Sequence, residues 1–246
     1  MIYTSFAQFY DELFDSNMYN HWLQFVKDNV DTSSNIINIA CGNGRLDCLL
    51  ISQGYNVTGL DLSNDMLSIA SKHANDMNLS LPLIEGNMLD LSTIDNYDVA
   101  TCFDDSLCYL KSESEIETAF TNVFKHLNNG GKYLFDVITP YKTDVYYPGY
   151  MYNYHDESRA FMWSSYIGDA PHSVEHDLAF FFYNEEIEAY DSFNEIHYER
   201  TYDLKVYLDL LKKVGFKNIK VSADFGKKTP DNKTDRWFFV CDKVMS

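Results

Sequence analysis

The chain has 246 residues, 46% of them hydrophobic, which is enough to bury the core of one α/β domain. Its 37 acidic residues outnumber its 19 lysines and arginines, and the net charge of −18 would repel a phosphate backbone, so nucleic acid is not expected as a partner. No segment has the ~20 apolar residues of a membrane-spanning helix and the five cysteines include no CxxC pair, so we expect a cytoplasmic protein with reduced thiols and no membrane contact.

The order of the elements predicts helices followed by a parallel sheet. Apolar and aromatic residues between Thr4 and Val30 recur at helical spacing, which predicts N-terminal helices over 1–30. Short apolar runs then alternate with helical patterns, as is typical of a Rossmann-like α/β fold with helices on both faces of the sheet. Seven strands are predicted, starting at Ile36 and then over 55–60, 81–84, 97–103, 132–137, 216–221 and 237–241. Helices are predicted from Leu46 to a stop at Gly54, from a Ser63 cap, over 113–127 and over 204–214.

The alternation is interrupted between Pro140 and Tyr202, a segment too long for an ordinary loop. Three aromatic-rich runs in it, 160–166, 174–183 and 193–202, have the pattern of an antiparallel sheet inserted after strand five. Strand five ends at the carboxyl edge, where ligands of such folds bind, so the insertion leaves the sheet beside the expected site. We expect residues 1–246 to form a single domain, with the insertion 140–202 as a lid or as the contact of a homodimer.

The segment 36–44, IINIACGNG, predicts a buried strand that ends in a glycine turn before a helix. Such a turn brings the backbone close to a nucleotide-type ligand, and the helix points free N–H groups at it. The dinucleotide fingerprint GxGxxG is incomplete, because Asp47 stands where its third glycine would be. Asp61, at the end of the second strand, is placed to accept both hydroxyls of a ribose. The glycine turn and Asp61 together predict a site for a nucleotide-type ligand. They do not exclude NAD as that ligand.

Further motifs follow the glycine turn in a fixed order. TGLDLS contains Asp61, and EGNMLDL, YDVATCFDDSLCYL and LNNGGKYLFDV come next. With NIACGNG at 38–44, this series resembles the class I S-adenosylmethionine (SAM)-dependent methyltransferases, whose first motif usually reads DLGCGTG; here Asn38 replaces the leading acid. The likeness covers about 30–140 and 203–243. The insertion is similar in architecture to the inserted sheet of amino-sugar and other small-amine N-methyltransferases.

The resemblance implies a binding site for SAM, with S-adenosylhomocysteine (SAH) as the product. Gly42 and Gly44 would pass beneath the methionyl part, and Asp61 would hold the ribose. Leu62 and Met88 would flank the adenine, whose amino edge would meet Asn87. The residues expected to bind the cofactor are Tyr10, Ala40, Gly42, Asn43, Gly44, Asp61, Leu62, Met66, Asn87, Met88 and Asp104.

Two parts of the chain, the acid after strand four and the histidines of the insertion, offer candidates for a catalytic role. Asp105 directly follows strand four, where it could orient a substrate amine, although Asp104 and Asp105 could equally cap the next turn. His176, like His197, alternates with apolar residues of the insertion, where one of the two could face the pocket as a general base, although such histidines are more often ordinary residues of a sheet. The seven histidines show no HExxH or comparable spacing, so no metal is expected.

The expected function is transfer of a methyl group from SAM to a small molecule. An amine would suit the acidic balance and the many tyrosines, which favour a cation. The same glycine turn and ribose acid are compatible with an NAD-dependent oxidoreductase. A third hypothesis is a protein that binds SAM without catalysing a reaction, because a fold does not by itself imply an enzymatic activity.

Overall fold

A computed structural model describes residues 16–244 of the chain. The helix expected nearest the N-terminus, and Tyr10 with it, lies outside the described residues. Within 16–244, no helix is both long and apolar enough to cross a membrane.

Residues 16–244 contain eleven strands and five α-helices. The strands are β1 (Asn35–Ile39), β2 (Asn56–Asp61), β3 (Leu83–Glu85), β4 (Tyr97–Cys102), β5 (Leu127–Ile138), β6 (Met151–His155), β7 (Arg159–Ile167), β8 (Ser173–Asn184), β9 (Ala189–Arg200), β10 (Lys217–Ser222) and β11 (Arg236–Asp242). The helices are α1 (Ser16–Asn29), α2 (Arg45–Ser52), α3 (Asn64–Asp76), α4 (Glu113–His126) and α5 (Leu204–Val214).

Seven strands form the main sheet, in the order β3-β2-β1-β4-β5-β11-β10. The strands are parallel except for β11, which runs antiparallel to both β5 and β10. The chain changes direction along the sheet between β1 and β4, and the carboxyl ends of these strands therefore flank the crevice where open α/β sheets bind ligands. This arrangement confirms the predicted Rossmann-like sheet.

Helices cover both faces of this sheet. Trp22 and Phe25 of α1 pack with Ile36 of β1 on one face, whereas Phe120 of α4 belongs to the core on the other face, together with Ile37. Neighbouring residues of a strand point to opposite faces, so β1 must be apolar on both sides. This double burial explains the unbroken apolar run that identified the strand.

The insertion is a second sheet with the antiparallel order β6-β7-β8-β9. The predicted inserted sheet is thereby confirmed, but it has four strands instead of three. The missed strand, β6, is an edge strand in which four of five residues are exposed, so its sequence MYNYH lacks a clear alternation of apolar and polar residues. A π-helical turn, Lys142–Tyr146, connects β5 to this sheet.

Strand β5 begins five residues earlier than predicted, at Leu127 instead of Lys132. The tetrapeptide 128–131, NNGG, directly follows the helix predicted over 113–127, and it forms an irregularity within the strand. Leu127 pairs with Tyr97 and Lys132 with Val99, so β5 has extra residues opposite β4 at this point. Gly130 adopts a φ of +82°, which glycine tolerates at little cost.

A buried pair of side chains supports the glycine turn from below. Asn38 of β1 donates from Nδ2 to Oδ1 of Asp47 on α2 at 2.6 Å, and its own Oδ1 accepts from the hydroxyl of Thr101 at 2.8 Å. Asp47 is completely buried, and burial raises its pKa to about 7. The residue that replaces the third glycine of the dinucleotide fingerprint thus joins α2 to β1.

Replacing Asp47 with Asn should remove a pH-dependent loss of stability. The folded chain retains a proton on Asp47 that the unfolded chain releases near pH 3.8, so the free energy of unfolding falls as the pH rises from about 4 to about 7. At pH 8, Asp47→Asn should therefore be more stable than the wild type by a few kcal/mol, the order of magnitude that corresponds to this shift of the pKa. At pH 4 the two proteins should be equally stable. Urea denaturation at both pH values measures this difference.

Asp98 provides a control of opposite sign. Hydrogen bonds from the N–H of Asn35 and the amide of Asn128 lower its pKa. Asp98→Asn should therefore lose stability above pH 4, where Asp47→Asn gains it. A difference between Asp47→Asn and the wild type that did not change with pH would contradict the role given to the buried acid.

Candidate functional site

The turn after β1 is held in a conformation that side chains rarely adopt. Ala40, Gly42 and Gly44 have φ values of +57°, +54° and +69°. Glycine tolerates this region, whereas Ala40 adopts it at a cost, as residues at binding sites often do. The N–H of Cys41 donates to the carbonyl of Leu60 at 3.0 Å, which fixes the turn against the end of β2.

The two glycines of the turn have different surroundings. A Cβ on Gly44 would lie 2.7 Å from the Cβ of Ala70 on α3, so Gly44 is required for packing. A Cβ on Gly42 would have no atom of the described residues within 4 Å and would project into open space. Gly42 therefore leaves an open cradle, in which no side chain of the described residues blocks the approach of a ligand to the backbone.

Asp61 connects the turn to the end of β2. Its Oδ2 accepts the N–H of Gly42 and its Oδ1 accepts the N–H of Ser63, both at 2.8 Å. Each carboxylate oxygen can accept more than one hydrogen bond, so both oxygens can still receive ribose hydroxyls. Ser63 in turn caps α3, as predicted, by accepting the N–H of Met66 at 3.3 Å.

Asn43 joins the turn to two helices. Its side-chain amide donates to the hydroxyl of Tyr19 on α1 at 3.3 Å, and its carbonyl lies 2.9 Å from Nδ1 of His73 on α3. An aromatic residue of the N-terminal helices therefore contacts the glycine turn. Trp22 of the same helix has a different role, because it is buried in the core.

The residues expected around the adenine lie at the ends of β2 and β3. Leu62 is 68% exposed, which is unusual for leucine and leaves an apolar surface for a ring to cover. Met66 and Met88 are half-buried, and Asn87 is exposed. Oδ1 of Asn87 accepts the N–H of Leu89 at 2.9 Å, which leaves its amide N–H groups to a ligand.

The loop after β4 carries two acids in strained backbone conformations. Asp104 and Asp105 have φ values of +55° and +49°. Oδ2 of Asp105 accepts from Nη2 of Arg236 at 3.0 Å, while Oδ1 of Asp104 lies 3.9 Å from the same nitrogen. The N–H of Asp105 donates to Oδ1 of Asp136 at 2.9 Å. Asp105, a candidate catalytic residue, is therefore part of an ion pair.

Asp136 is the buried centre of this group. It is fully buried on β5 and accepts from Nη1 of Arg236 at 2.8 Å and from the indole of Trp22 at 2.7 Å. Burial raises the pKa of Asp136, and Arg236 opposes that shift. Loss of water and repulsion from Asp105 raise the pKa of Asp104 well above its usual range. The single guanidinium of Arg236 thus lies within 4 Å of three carboxyl groups.

A cavity of about 470 Å³ lies between this acidic loop and the inserted sheet. This volume is in the range of small-molecule sites. One side is formed by the end of β4 and the turn after β5, and the other by the inner face of the insertion. Its walls include Met18, Asp104, Asp105, Tyr109, Ile138, Lys142, Tyr147, Tyr150, Tyr152, Phe161, Trp163, His176, Leu178, His197, Glu199, Asp235 and Arg236.

His176 and Glu199 line this cavity and are both more than nine-tenths buried. Nε2 of His176 lies 3.8 Å from Oε2 of Glu199, too far for a hydrogen bond. Neither atom has a hydrogen-bond partner among residues 16–244. Burying such groups without partners is costly, which is expected where a ligand supplies the missing bonds.

The sequence analysis missed several residues of this site. Asp136 had a visible signal, because it is a carboxylate within the otherwise apolar strand KYLFDVI. Glu199 had a weaker signal: it lies two residues after His197 in the predicted strand 193–202, and therefore on the same face. Arg236 and Lys142 had none, because only the folded chain brings them to the cavity.

The geometry of the turn fits SAM. The open cradle at Gly42, the remaining acceptor capacity of Asp61 and the exposed Leu62 lie at the carboxyl edge of one sheet. This sheet order, the glycine turn after β1 and the ribose acid after β2 define the class I SAM-dependent methyltransferases. Comparisons with known proteins agree: a family model described as a methyltransferase domain matches residues 36–131.

The chain belongs to the methyltransferase family. It is 35% identical over 248 residues to a putative methyltransferase of Geobacillus sp. (strain WCH70), covering 99% of this chain and 100% of that protein. The crystal structure of a SAM-dependent methyltransferase from Clostridium acetobutylicum ATCC 824 superposes with a TM-score of 0.85 and 27% identity, over 100% of both chains. A partial similarity, 28% over 106 residues and 43% of each chain, relates it to dTDP-3-amino-3,4,6-trideoxy-alpha-D-glucopyranose N,N-dimethyltransferase of Streptomyces venezuelae.

These comparisons confirm the predicted SAM-dependent methyltransferase of the small-molecule branch. They lend no support to the oxidoreductase alternative or to a protein without catalysis. The size of the cavity, about 470 Å³, agrees with a small-molecule acceptor.

The two glycines should respond differently to the same substitution. Gly42→Ala should fold with a modest loss of stability, about 1 kcal/mol for the positive φ, but its methyl group would occupy the cradle and weaken SAM binding. Gly44→Ala should lose more stability, because its Cβ collides with Ala70. Thermal unfolding and calorimetric titration with SAH separate the two effects. Unchanged SAH affinity in a folded Gly42→Ala variant would contradict the placement of the cofactor.

Proposed function

We propose that this methyltransferase acts on a small amine bound in the cavity beneath the inserted sheet. The buried carboxylate of Glu199 is the main support for this proposal. It is 8% exposed, and its Oε2 faces the cavity without a hydrogen-bond partner among the described residues. A group that donates hydrogen bonds and carries positive charge would satisfy it best.

The charges around the cavity favour the same chemistry. Besides Asp104, whose pKa is raised, three carboxylates line it, against two cations. Both cations already have acidic partners, because Arg236 is bound to Asp105 and Lys142 lies 3.6 Å from Asp235. An incoming cation therefore meets an excess of negative charge, whereas an acidic acceptor would be repelled.

Aromatic side chains add a second attraction for a cation. Tyr147, Tyr150 and Trp163 form a contiguous group, with ring centroids 5.3 to 6.2 Å apart. Their π faces attract cations, and their size excludes water from the reacting groups. The similarity to an amino-sugar N,N-dimethyltransferase also supports an amine as acceptor.

The residues of this chain would mainly bind and orient the two reactants. SAM supplies a methyl group that its sulfonium already activates. Ala40, Gly42, Asn43 and Asp61 hold it at the carboxyl edge, beside Asp104. The insertion holds the acceptor opposite, and this positioning supplies much of the rate. Asp105 keeps the loop in place through Arg236 and is assigned no proton transfer.

A panel of acceptors tests this proposal. With SAM present, small primary and secondary amines should be methylated, while phenols and carboxylates of similar size should not. Turnover of a phenol or carboxylate without turnover of any amine would reject the amine. Calorimetric titration should show binding of SAM and SAH and none of NAD.

Glu199→Gln tests the role of the carboxylate. The neutral amide should raise the KM for the amine about tenfold or more, the loss expected for one charged hydrogen bond, and leave the affinity for SAM unchanged. Asp177→Asn is the matched control, because Asp177 is exposed on β8 and points to the opposite face of the sheet. Equal KM values for the two variants would contradict this assignment.

The outer face of the inserted sheet supports a homodimer. The pairing of strands β6 to β9 places five apolar or aromatic residues on the face opposite the cavity, and all five are exposed: Met151, Met162, Tyr166, Ile196 and Tyr198. A second copy of the chain would bury these side chains. The five cysteines are free and buried, which supports a cytoplasmic location.

Sedimentation equilibrium tests the dimer. The wild type should sediment as a dimer, and Ile196→Glu should shift it to the monomer by placing charge in the apolar contact. Val145→Glu, at an exposed site in the π-helical turn, should remain dimeric. A monomeric wild type at micromolar concentration would rule out this contact.

A further inference from the structure

His176 and His197 lie directly opposite each other on β8 and β9, and both line the cavity. They differ in what their ring nitrogens contact. A neutral imidazole carries one proton, and the partners of the two nitrogens determine which one holds it. The hydrogen bonds of each ring therefore indicate which histidine can receive a proton.

Nδ1 of His176 is fully occupied as an acceptor. The indole nitrogen of Trp163 lies 3.1 Å away, and an indole N–H can only donate. The hydroxyl of Ser165 lies 2.7 Å from the same atom. The proton of the neutral ring is therefore on Nε2, which points toward Glu199 and the cavity. In this state His176 can donate a hydrogen bond to a ligand but has no open lone pair for a proton.

In His197 the accepting nitrogen, not the protonated one, contacts a residue that lines the cavity. Its Nε2 lies 2.8 Å from Oε2 of Glu195, and an ionised carboxylate can only accept, so Nε2 carries the proton. Its Nδ1 is then an acceptor, 2.8 Å from the hydroxyl of Tyr109. Tyr109 ends the short helix after Asp105, at the carboxyl edge of the sheet. A carboxylate, an imidazole and a hydroxyl are thus connected in series.

We propose that Tyr109, His197 and Glu195 form a proton relay for the acceptor amine, a role that rests on the proposed function. An N–H bond of the ammonium breaks and its proton moves to the oxygen of Tyr109. The phenolic proton of Tyr109 moves at the same time to Nδ1 of His197. The amine keeps the electron pair as a free lone pair, and Glu195 stabilises the imidazolium. Tyr109 is the catalytic residue; His197 and Glu195 act through it.

The surroundings of His197 suit this role. Glu195 and Glu199 flank it on the same face of β9, and His176 is its neighbour across the strands. Lys111 and Arg200 line the adjoining groove. The side chain of Glu195 is 39% exposed, so a proton on the imidazolium can return to water at the rim. The relay therefore runs from the cavity to solvent.

Nitrogen NMR tests the relay without any acceptor. At pH 8, long-range proton–nitrogen spectra should show both His176 and His197 protonated on Nε2. Glu195→Ala should abolish the preference of His197 for the tautomer protonated on Nε2 and leave the tautomer of His176 unchanged. If His197 carried its proton on Nδ1 in the wild type, the relay would be overturned, whichever compounds the enzyme methylates.

Kinetics on a methylated amine provide the second test. His197→Gln and Tyr109→Phe should lower kcat/KM about 100-fold or more at pH 7, as expected for loss of a general base, with calorimetric SAH affinity unchanged. The loss should shrink near pH 10, where free amines have lost their proton. His155→Gln, at an exposed position of β6, is the control.

The outcomes distinguish the two proposals. Full activity of His197→Gln at pH 7 would overturn the relay while the amine acceptor stands. Methylation of phenols alone would reject the amine acceptor, and the NMR spectra would still decide whether His197 can accept a proton from Tyr109.

Discussion

The site depends on one buried guanidinium. Arg236 on β11 binds Asp136 on β5 and Asp105 after β4, and Asp136 also holds the indole of Trp22 on α1. These contacts join two strands, a loop and a helix at the carboxyl edge of the sheet. A buried ion pair seldom stabilises a fold by itself, but loss of one partner leaves a buried charge that costs about 3 to 5 kcal/mol. The arrangement therefore fixes the loop that carries Asp104 and Asp105 beside the cavity.

The donor and acceptor sides of the site are built in different ways. The proposed donor side is mainly backbone: a glycine turn in left-handed conformations, tied by N–H groups to Asp61. Such geometry suits a ligand that every enzyme of the class shares. The proposed acceptor side is made of side chains from the insertion, such as Glu199, Tyr150 and Trp163. Side chains on antiparallel strands can vary without disturbing the main sheet, so the insertion is the natural place for acceptor specificity.

The two histidines show how contacts assign chemistry to identical residues. His176 and His197 lie in register and share a cavity, yet one is surrounded by donors and the other connects an acid to a phenol. The alternation with apolar residues applies to both histidines, so the sequence offered either one as a general base and could not choose between them. The hydrogen bonds of the folded protein favour His197, because an imidazole accepts a proton only through an available lone pair.

The sequence by itself determined the sheet, the glycine turn, Asp61 and the presence of an inserted antiparallel sheet. These features depend on local rules: periodicity within ten residues, the freedom of glycine at positive φ, and the edge at which parallel strands end. It missed the edge strand β6 and the early start of β5, where partner strands override local pattern. Only the tertiary structure brought Arg236 to Asp136, a hundred residues away, and placed Glu199 over the cavity. The partners of a buried charge or an imidazole are set by packing between distant elements, which no local pattern encodes.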